Sequence, residues 1–387
     1  MYNIKNKKIA IFDFYLGGHH IEYLHHIYIH AIENHDIDYI FILPNNFSMF
    51  KSDFVWPESN NVEFIFYELD DSYIRSLRFY DKSRKLCNLL KHFINEYNLE
   101  DVILIETIAF MPFLPFFISN KVRITSIMYH LPLFSKESTL KERLLTNINM
   151  SLIAHSKCFN RICILNSTEA VEFYNKKYNK HKFHFLPDPY TPIECKKDKK
   201  DIRQSFGISN ESLVFIHFGG LTKRKGTLEI LDALINIDCE KLKNKCFIFA
   251  GRVIEDIREE FYNKLEILKN KVQIIIIDKF CSYSLLAEIC EISDFIIIPY
   301  KNTAQSSGVC SYAAQFKKPV IGPAEGLLGS LIRNNGLGYT IYNIDYKKIA
   351  ELIYNEEYKN IRIDHTKSNI YLNTNTPKNF YHHLTGL

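Results

Sequence analysis

The sequence has no long apolar run and no visible export signal. None of its uninterrupted apolar stretches approaches the roughly 18 to 20 residues that are needed to span a bilayer. The amino-terminal segment M-Y-N-I-K-N-K-K leads into a short strand-like segment, whereas a signal peptide has a longer apolar core followed by a cleavage site. We therefore expect a cytoplasmic protein without a transmembrane helix.

Paired cysteines and a strong charge of one sign are also missing. The nine cysteines are scattered, without a C-x-x-C pair or a Cys/His cluster at zinc spacing. Cys163 and Cys246 lie within apolar runs, which predicts buried, reduced thiols. The net charge of +4 is too small to indicate a nucleic-acid partner, but it suits an anionic substrate or the inner face of a membrane.

What is present indicates two α/β domains. The chain has 387 residues, of which 47% are hydrophobic, enough for two cores. Strand and helix signals alternate along it, which is typical of parallel sheets covered on both faces. We predict a first sheet with strands at 9–14, 37–43, 62–67, 102–105, 123–128 and 162–165, and a second sheet with strands at 213–218, 246–250, 272–277, 295–298 and 319–322.

A linker is predicted where regular structure is interrupted. Pro187, Pro189 and Pro192 precede the charged run K-K-D-K-K-D at 196–201. The predicted organisation is a first domain at 1–190, a linker at 191–205, a second domain at 206–360 and a final segment at 361–387 that packs back on the first domain.

Two loops of the second domain are candidates for phosphate binding. The strand 213–218 is followed by the turn G-G-L-T-K-R-K-G at 219–226 and by a helix predicted at 227–237. Further along, the loop A-Q-S-S-G-V at 304–309 leads into a second helix. The unpaired N–H groups at the start of a helix bind phosphate well, although a serine there is also an ordinary helix cap.

In this order of elements the chain resembles glycosyltransferase family 4, most closely over 214–338. The resemblance implies the GT-B fold, with two Rossmann-like parallel-sheet domains facing each other across a cleft. It also implies a nucleoside-diphosphate sugar as the donor, with the sugar transferred to a glycan or lipid-linked glycan acceptor and its anomeric configuration retained. The implied role is cell-envelope polysaccharide biosynthesis, with peripheral contact to the inner membrane face.

The resemblance assigns the donor site to the second domain. Lys225 precedes Gly226 as in the family pattern and is implied to be catalytic, while Gly220 stands where the family has an arginine. Arg224, or else Lys223, would replace that charge. The implied donor-binding residues are Gly18, Arg224, Arg252, Phe280, Gln305, Ser306, Ser307, Gly308 and Val309.

The resemblance assigns the acceptor site to the first domain. A Gly-Gly loop follows the first strand, so His19, His20 and Glu22 are implied acceptor-binding residues. His130, after the strand 123–128, is implied to be catalytic, and Glu106 is a weaker candidate at another strand end.

The chain departs from the family where two glutamates are usual. Ala304 and Tyr312 occupy those positions, and the loop Q-S-S-G-V is similar to a bacterial subgroup with Gln-Ser-Gly-Val. No metal and no cofactor are implied, because no D-x-D-like motif ends a strand, and we interpret Asp70 and Asp71 as a helix cap. Three alternatives stay open: an epimerase of the same fold, a non-catalytic sugar-binding subunit, and a Rossmann dehydrogenase, which the absent G-x-G-x-x-G pattern disfavours.

Overall fold

The chain folds into two compact units. The computed structural model describes residues 7–51, 54–129, 131–134 and 139–387. The first unit comprises the described residues of 1–132, 137–189 and 376–387, and the second comprises those of 133–136 and 190–375.

The first unit is built on a seven-stranded parallel sheet with the strand order β3-β2-β1-β4-β5-β6-β7. Its strands are β1 (Lys7–Phe12), β2 (Ile37–Pro44), β3 (Val62–Tyr67), β4 (Asp101–Leu104), β5 (Arg123–Met128), β6 (Phe159–Leu165) and β7 (Phe183–Leu186). Its helices are α1 (His19–Ala31), α2 (Asp71–Ser76), α3 (Phe79–Tyr97), α4 (Leu114–Phe117), α5 (Leu140–His155), α6 (Thr168–Tyr178) and, at the end of the chain, α16 (Pro377–Thr385).

The second unit has a six-stranded parallel sheet in the order β10-β9-β8-β11-β12-β13. Its strands are β8 (Leu213–Phe218), β9 (Lys245–Ala250), β10 (Gln273–Ile277), β11 (Phe295–Ile297), β12 (Val320–Pro323) and β13 (Gly338–Ile341). Its helices are α7 (Lys199–Ser205), α8 (Thr227–Ile235), α9 (Cys239–Leu242), α10 (Glu255–Leu268), α11 (Tyr283–Ile292), α12 (Val309–Gln315), α13 (Gly326–Asn334), α14 (Tyr346–Tyr354) and α15 (His365–Thr374).

Both sheets are held by apolar strands that are buried on both faces, as parallel sheets require. In the first unit, Ile9 and Ile11 of β1 share a core cluster with Leu24 of α1. In the second unit, Phe215 of β8 stacks on Phe247 of β9, with ring centres 5.0 Å apart. Burial of these side chains is the main force that brings helices onto the sheets.

The strand orders locate the ligand-binding edge of each sheet. In the first sheet the winding reverses between β1 and β4, and in the second it reverses between β8 and β11. Open α/β sheets bind ligands outside the carboxyl ends of their strands at such a reversal. The loops that follow these four strands are therefore the places to look for a site.

The first unit is completed by the end of the chain. Phe380 of α16 is fully buried in the same cluster as Ile9, and its ring centre lies 5.0 Å from that of Tyr23. The hydroxyl groups of Tyr39 and Tyr381 lie 2.5 Å apart. Helix α16 is thus part of the core of the first unit.

The α/β class and the parallel sheets predicted from the sequence are confirmed, and each predicted strand is present. Asp70 is the predicted helix cap, since its carboxylate accepts N–H groups of Ser72 and Tyr73. Cys163 and Cys246 are buried and unpaired, as expected. No helix in the described part of the chain is long and apolar enough to cross a bilayer.

Other details differ from the prediction. Strands β7 and β13 were not predicted, and the helix expected at 227–237 ends at Ile235. The segment predicted as a linker contains α7, where Arg203 is buried and donates to the carbonyl groups of Ser212 and Ile292. The strand expected at 9–14 ends at Phe12, because the Asp13 carboxylate accepts hydrogen bonds from the N–H groups of Phe14 and Tyr15.

Candidate functional site

The turn after β8 is shaped by two glycines. Gly219 has a φ of 97°, and a Cβ at this position would lie 2.5 Å from Nζ of Lys225. Gly226 has a φ of 70°, and its Cβ would lie 2.1 Å from the carbonyl oxygen of Pro299, just beyond β11. Only glycine adopts these angles without strain and lets the chain come so close. The Lys225 ammonium group therefore lies against the backbone of the turn, 5.3 Å from the ring centre of Tyr300.

A buried histidine ties this turn to the neighbouring strand. Nδ1 of His217 lies 2.8 Å from the carbonyl oxygen of Ile297, and Nε2 lies 3.0 Å from Oγ1 of Thr227. Because a carbonyl oxygen can only accept, Nδ1 carries the proton, and Nε2 accepts the hydrogen bond of the Thr227 hydroxyl. That hydroxyl in turn accepts the N–H group of Thr222 over 3.1 Å.

The environment of His217 keeps its ring neutral at physiological pH. The pKa of His217 is lowered to about 4, mainly because the ring is buried. The hydrogen bond to Ile297 raises the pKa, and the charge of Lys225 lowers it. The histidine thus serves to fix the turn, and Lys225 is held beside a neutral group.

The structure joins this turn to the loop before α12. Nη1 of Arg224 donates to Oε1 of Gln305 over 3.4 Å, although the two residues are 81 positions apart in the sequence. The N–H group of Lys301 donates to the carbonyl oxygen of Arg224 over 2.9 Å. Gly308 caps α12 without a side-chain hydrogen bond, and Ser306, Ser307 and Val309 surround it in the chain. Two loops predicted to bind phosphate therefore lie together.

The two positions that lack glutamate lie in this loop and in the helix that follows it. Ala304 is buried, and its N–H group donates to the side chain of Asn302 over 3.1 Å. Tyr312 lies on α12, where its ring contacts that of Phe218 with centres 6.5 Å apart. Neither position brings a carboxylate to this edge.

Several cationic side chains lie at the carboxyl edge of the second sheet. Five cationic side chains follow strands of this sheet and have no carboxylate partner in the described ranges: Lys223, Arg224, Lys225, Arg252 and Lys279. Two carboxylates near this edge are paired with cations, Glu229 with Lys301 and Asp278 with Arg258 at 2.7 Å. Phe280, after β10, is 89% exposed.

The carboxyl edge of the first sheet is organised by Asp13. Its side chain is fully buried, and Oδ1 accepts the N–H groups of Phe14 at 2.8 Å and Tyr15 at 3.2 Å. Oδ2 lies 2.8 Å from Nδ1 of His20, in the first turn of α1. Burial lowers the pKa of His20, but the charge and hydrogen bond of Asp13 outweigh burial, so that its pKa is raised overall.

Glu106 and Tyr129 follow β4 and β5 at the same edge. Burial raises the pKa of the Glu106 carboxyl group, nearby His20 opposes the rise, and Asp13 adds to it. The Tyr129 ring stacks on His20 at 5.5 Å and on Tyr23 at 5.8 Å. Its hydroxyl oxygen is buried without a hydrogen-bond partner among the described residues. Burial raises the pKa of the Tyr129 hydroxyl, and the nearby charges of Asp13 and Glu106 raise it further.

The start of α1 holds the other predicted acceptor residues. Gly18 is exposed and has a φ of 64°, which frees the backbone to turn into the helix. Nδ1 of the exposed His19 lies 3.4 Å from Oε2 of Glu22, and Nε2 of His26 lies 3.8 Å from Oε1 of the same carboxylate. Burial raises the pKa of Glu22, but the two histidines outweigh burial and lower it to about 2.

The predicted residues thus divide between the two units. Lys225, Arg224 and Gln305 come together in the second unit, whereas His20 and Glu106 lie near each other in the first. The prediction for His130 lies outside the described residues. No group of three or more histidine, cysteine or carboxylate side chains able to hold a metal ion occurs within the described ranges.

Three residues of these edges were not predicted from the sequence. Asp13 was assigned to a strand, Tyr129 to no role, and His217 to an apolar strand core. The signal for Asp13 is weak, because this residue interrupts an apolar run that continues through Phe14 to Leu16.

Comparison with known proteins supports the fold. Neither a protein-family model nor a curated protein sequence matches the chain. Among solved structures, the chain is similar to WaaG, a glycosyltransferase involved in lipopolysaccharide biosynthesis, with 14% identity, a TM-score of 0.65 and 98% of each chain covered. It is similar to Anabaena Alr3699/HepE in complex with UDP-glucose, with 15% identity, a TM-score of 0.68 and 98% of each chain covered.

A third similar structure comes from another kind of sugar transferase. The α,α-trehalose-phosphate synthase of Burkholderia vietnamiensis has 10% identity and a TM-score of 0.70, with 98% of this chain and 99% of that chain covered. All three similarities extend over nearly the whole of both chains. The chain therefore has the two-domain α/β fold of the GT-B glycosyltransferases.

Proposed function

We propose that this protein is a glycosyltransferase that takes a sugar from a nucleoside-diphosphate sugar. The observation that carries the proposal is the unpaired positive charge at the carboxyl edge of the second sheet, where Lys225 lies on a glycine turn at the reversal of strand order. A diphosphate is the ligand whose charge such an edge complements. The similar HepE structures contain UDP or UDP-glucose, which supports the same class of donor.

Within this proposal, the second unit stabilises the leaving diphosphate. The negative charge on that group grows as the glycosidic bond breaks, so a fixed cation lowers the barrier. Lys225 has that role. Arg224, in the same turn, donates a hydrogen bond to Gln305 in the loop before α12. The start of α12 at Ser306, Ser307, Gly308 and Val309 offers N–H groups, and Arg252 and Phe280 contact the nucleotide.

The finer assignments follow the resemblance to family 4. The first unit binds a glycan or lipid-linked glycan acceptor through His19, His20 and Glu22, with Gly18 against the donor and His130 beside the transferred sugar. Transfer retains the anomeric configuration, and the leaving phosphate helps to deprotonate the acceptor. The protein works in the cytoplasm, in peripheral contact with the inner membrane face, in cell-envelope polysaccharide synthesis.

We also propose that the reaction needs no metal ion. Cations and backbone N–H groups neutralise the diphosphate in this scheme, and the carboxylates Glu229 and Asp278 near that edge are already bound by Lys301 and Arg258. Magnesium would need free oxygen ligands.

A screen of nucleoside-diphosphate sugars tests the proposal. A ligand that binds only the folded state raises the melting temperature by mass action, so at least one donor should do so in the presence of EDTA. NMR of the product formed from that donor with a glycan acceptor should show the donor's anomeric form. If none of the nucleotide sugars shifts the melting temperature, the proposal is wrong, and an inverted product would refute retention alone.

The same experiment separates the open alternatives. Conversion of the donor to an epimer without any acceptor would identify an epimerase, and donor binding without turnover across an acceptor panel would identify a sugar-binding subunit. A dehydrogenase would instead be stabilised by a nicotinamide dinucleotide.

A further inference from the structure

The loop that joins β9 to α10 is held at Val253 by an ion pair. Oδ1 of Asp278, directly after β10, accepts the N–H group of Val253 over 2.8 Å. Nη1 of Arg258, in the first turn of α10, donates to the carbonyl oxygen of Val253 over 3.2 Å. Nη2 of Arg258 donates to Oδ2 of Asp278 over 2.7 Å. The two paired side chains therefore bind both backbone polar groups of one residue.

The residues on either side of Val253 pair with the turn that carries Lys225. The N–H group of Leu221 donates to the carbonyl oxygen of Arg252 over 2.9 Å, and the N–H group of Ile254 donates to the carbonyl oxygen of Leu221 over 3.1 Å. The Val253 side chain is 2% exposed and belongs to the core cluster of the second unit. The loop is thus fixed to the residues that follow β8 on one side and β10 on the other.

The Asp278 carboxylate is surrounded by donors of the protein itself. Besides Val253 and Arg258, the hydroxyl group of Tyr262 donates to Oδ2 over 2.9 Å. The hydrogen bond from Val253 lowers the pKa of Asp278 most, and Tyr262 and Arg258 also lower it, against the effect of burial. The group is therefore a carboxylate at neutral pH, and a carboxylate repels an anionic ligand. Asp278 is suited to hold the loop and not to contact a diphosphate.

Arg252 is the side chain of this loop that is available to a ligand. It is exposed and has no hydrogen-bond or ion-pair partner within the described ranges, although its carbonyl oxygen is bonded to Leu221. The preceding residue, Gly251, lies against the turn of Lys225, since a Cβ there would be 1.9 Å from the carbonyl oxygen of Gly219. A side chain on a fixed backbone loses less conformational freedom on binding than one on a mobile loop.

The other charged residues near the loop do not neutralise Arg252 by direct contact. Glu255 and Asp256 lie in the first turn of α10, and Lys279 follows Asp278. In the part of the chain that the structure describes, none of the three forms an ion pair with Arg252. Acidic residues at this end of a helix are stabilised by its unpaired N–H groups and its dipole.

We propose that Asp278 and Arg258 are positioning residues for donor binding, which hold Val253 so that Arg252 meets the diphosphate from a fixed backbone. The inference rests on the proposed function, in which Arg252 contacts the nucleotide, and adds two residues that act on the ligand only through Arg252. No local sequence pattern indicates this link, because 25 positions separate Val253 from Asp278 and 20 separate Arg258 from Asp278.

Titration calorimetry of the full-length protein with UDP and with ADP, in EDTA, tests the proposal with whichever nucleotide the wild type binds more tightly. We expect Arg252→Ala to raise Kd by about tenfold or more, the scale of a hydrogen bond to a charged group. Asp278→Asn keeps one acceptor oxygen for Val253 but presents an amide NH₂ group to Arg258. It should raise Kd by about threefold to tenfold, the scale of coupling between residues in one network.

A double-mutant cycle distinguishes positioning of Arg252 from a general effect on the fold. If Asp278 acts through Arg252, adding Asp278→Asn to Arg252→Ala should change Kd by less than about twofold. Arg258→Met removes the other half of the ion pair and should give the same pattern. Asp232→Asn is the matched control, because Asp232 pairs with Lys264 at 2.5 Å in the same unit and has no described contact with the loop. It should leave Kd unchanged.

The outcomes separate this proposal from the proposed function. A wild-type Kd in folded Asp278→Asn or in Arg252→Ala would overturn the proposal, and so would an equal effect of Asp278→Asn with and without Arg252. If Asp278→Asn does not fold, the same cycle with Arg258→Met decides the matter. Failure of the wild type to bind either nucleotide would contradict the proposed function itself, and the inference would fall with it.

Discussion

Lys225 is the side chain on which the proposed chemistry depends most. Its ammonium group is held against Gly219 and beside Tyr300, so it is fixed before a ligand arrives. We expect Lys225→Ala to lower kcat by roughly 10-fold to 1,000-fold, as loss of one preorganised charge-stabilising group does. Turnover of the variant with a saturating donor is the measurement.

The melting temperature of Lys225→Ala should stay near that of the wild type, because a turn lysine is not part of the core. Lys269→Ala, an exposed lysine at the end of α10 that pairs with Glu266, is the control and should keep full turnover. Wild-type turnover in folded Lys225→Ala would remove Lys225 from the site.

His217 makes the stability of the second unit depend on pH. Its pKa is lowered to about 4 in the folded state, against 6.5 for an ordinary histidine. Between these two pH values the unfolded chain therefore binds more protons than the folded chain. The contribution of His217 to the free energy of unfolding is complete above about pH 6.5 and is lost as the pH falls toward 4. Between pH 7 and pH 5 the loss should be about 2 kcal/mol of the free energy of unfolding.

Proteolysis in urea, scored by mass spectrometry on peptides of 213–218, measures this stability at the two pH values. His217→Asn removes the titrating ring, so its stability should be lower at pH 7 but should change less between pH 7 and pH 5. An unaltered pH dependence in the variant would show that other groups cause it.

At the level of elements, α16 is expected to stabilise the first unit although it is the last helix in the chain. Phe380 is fully buried between α1 and the sheet, in a cluster that includes Tyr23. Phe380→Ala should destabilise the first unit by about 3 to 5 kcal/mol, the usual effect of emptying such a core position. The single tryptophan, Trp56, packs against this cluster, so its fluorescence during urea unfolding reports on the first unit.

The matched control is His382→Ala, on the exposed side of the same helix. It should shift the urea midpoint by much less than Phe380→Ala. Equal shifts for the two variants would contradict the placement of α16 in the core.

Gly251 is expected to be irreplaceable in the loop after β9. It has a φ of 143°, and a Cβ there would lie 1.9 Å from the carbonyl oxygen of Gly219, in the turn that holds Lys225. Gly251→Ala should therefore both lower the melting temperature and weaken donor binding. Gly207→Ala is the control, since Gly207 has a φ of 65° but open space around its Cβ position.

Gly207→Ala should lower the free energy of unfolding by only about 1 kcal/mol, the strain of an alanine in the left-handed conformation. Gly251→Ala should lower the melting temperature more than Gly207→Ala, and it alone should weaken donor binding in a titration. Normal donor binding by Gly251→Ala would show that the turn tolerates displacement.

The elements were predictable where apolar runs are long and undivided. Strands such as β8 and β9 are buried on both faces, so their sequences are nearly continuous apolar runs. The strands β7 and β13 have four residues each and include polar or glycine positions, which gave too weak a signal. Short edge strands depend on pairing with a neighbour, which a local pattern does not contain.

The site was predictable only in part, because its groups come from distant segments. The Lys225–Gly226 turn was found through its glycines and cations, but its link from Arg224 to Gln305 arises from tertiary packing. Asp13 was missed because an apolar residue follows it and extends the apparent strand to Phe14. His217 was missed because a histidine within an apolar run reveals its role only through Ile297 and Thr227.

For the whole molecule, the two units share one architecture but carry different side chains at the carboxyl ends of their strands. Each has a parallel sheet with a reversal next to its first strand. In the proposed function, the cations at the carboxyl edge of the second sheet bind the anionic donor, and the first unit binds the acceptor.

The central claim is that a nucleoside diphosphate binds at the carboxyl edge of the second sheet. Hydrogen exchange of the full-length protein, followed by mass spectrometry with and without saturating UDP or ADP in EDTA, tests it most directly. We predict slower exchange with at least one of the two nucleotides in the peptides of 219–227 and 304–312. Slowing confined to peptides of 7–129, or no slowing anywhere with either nucleotide, would contradict the account.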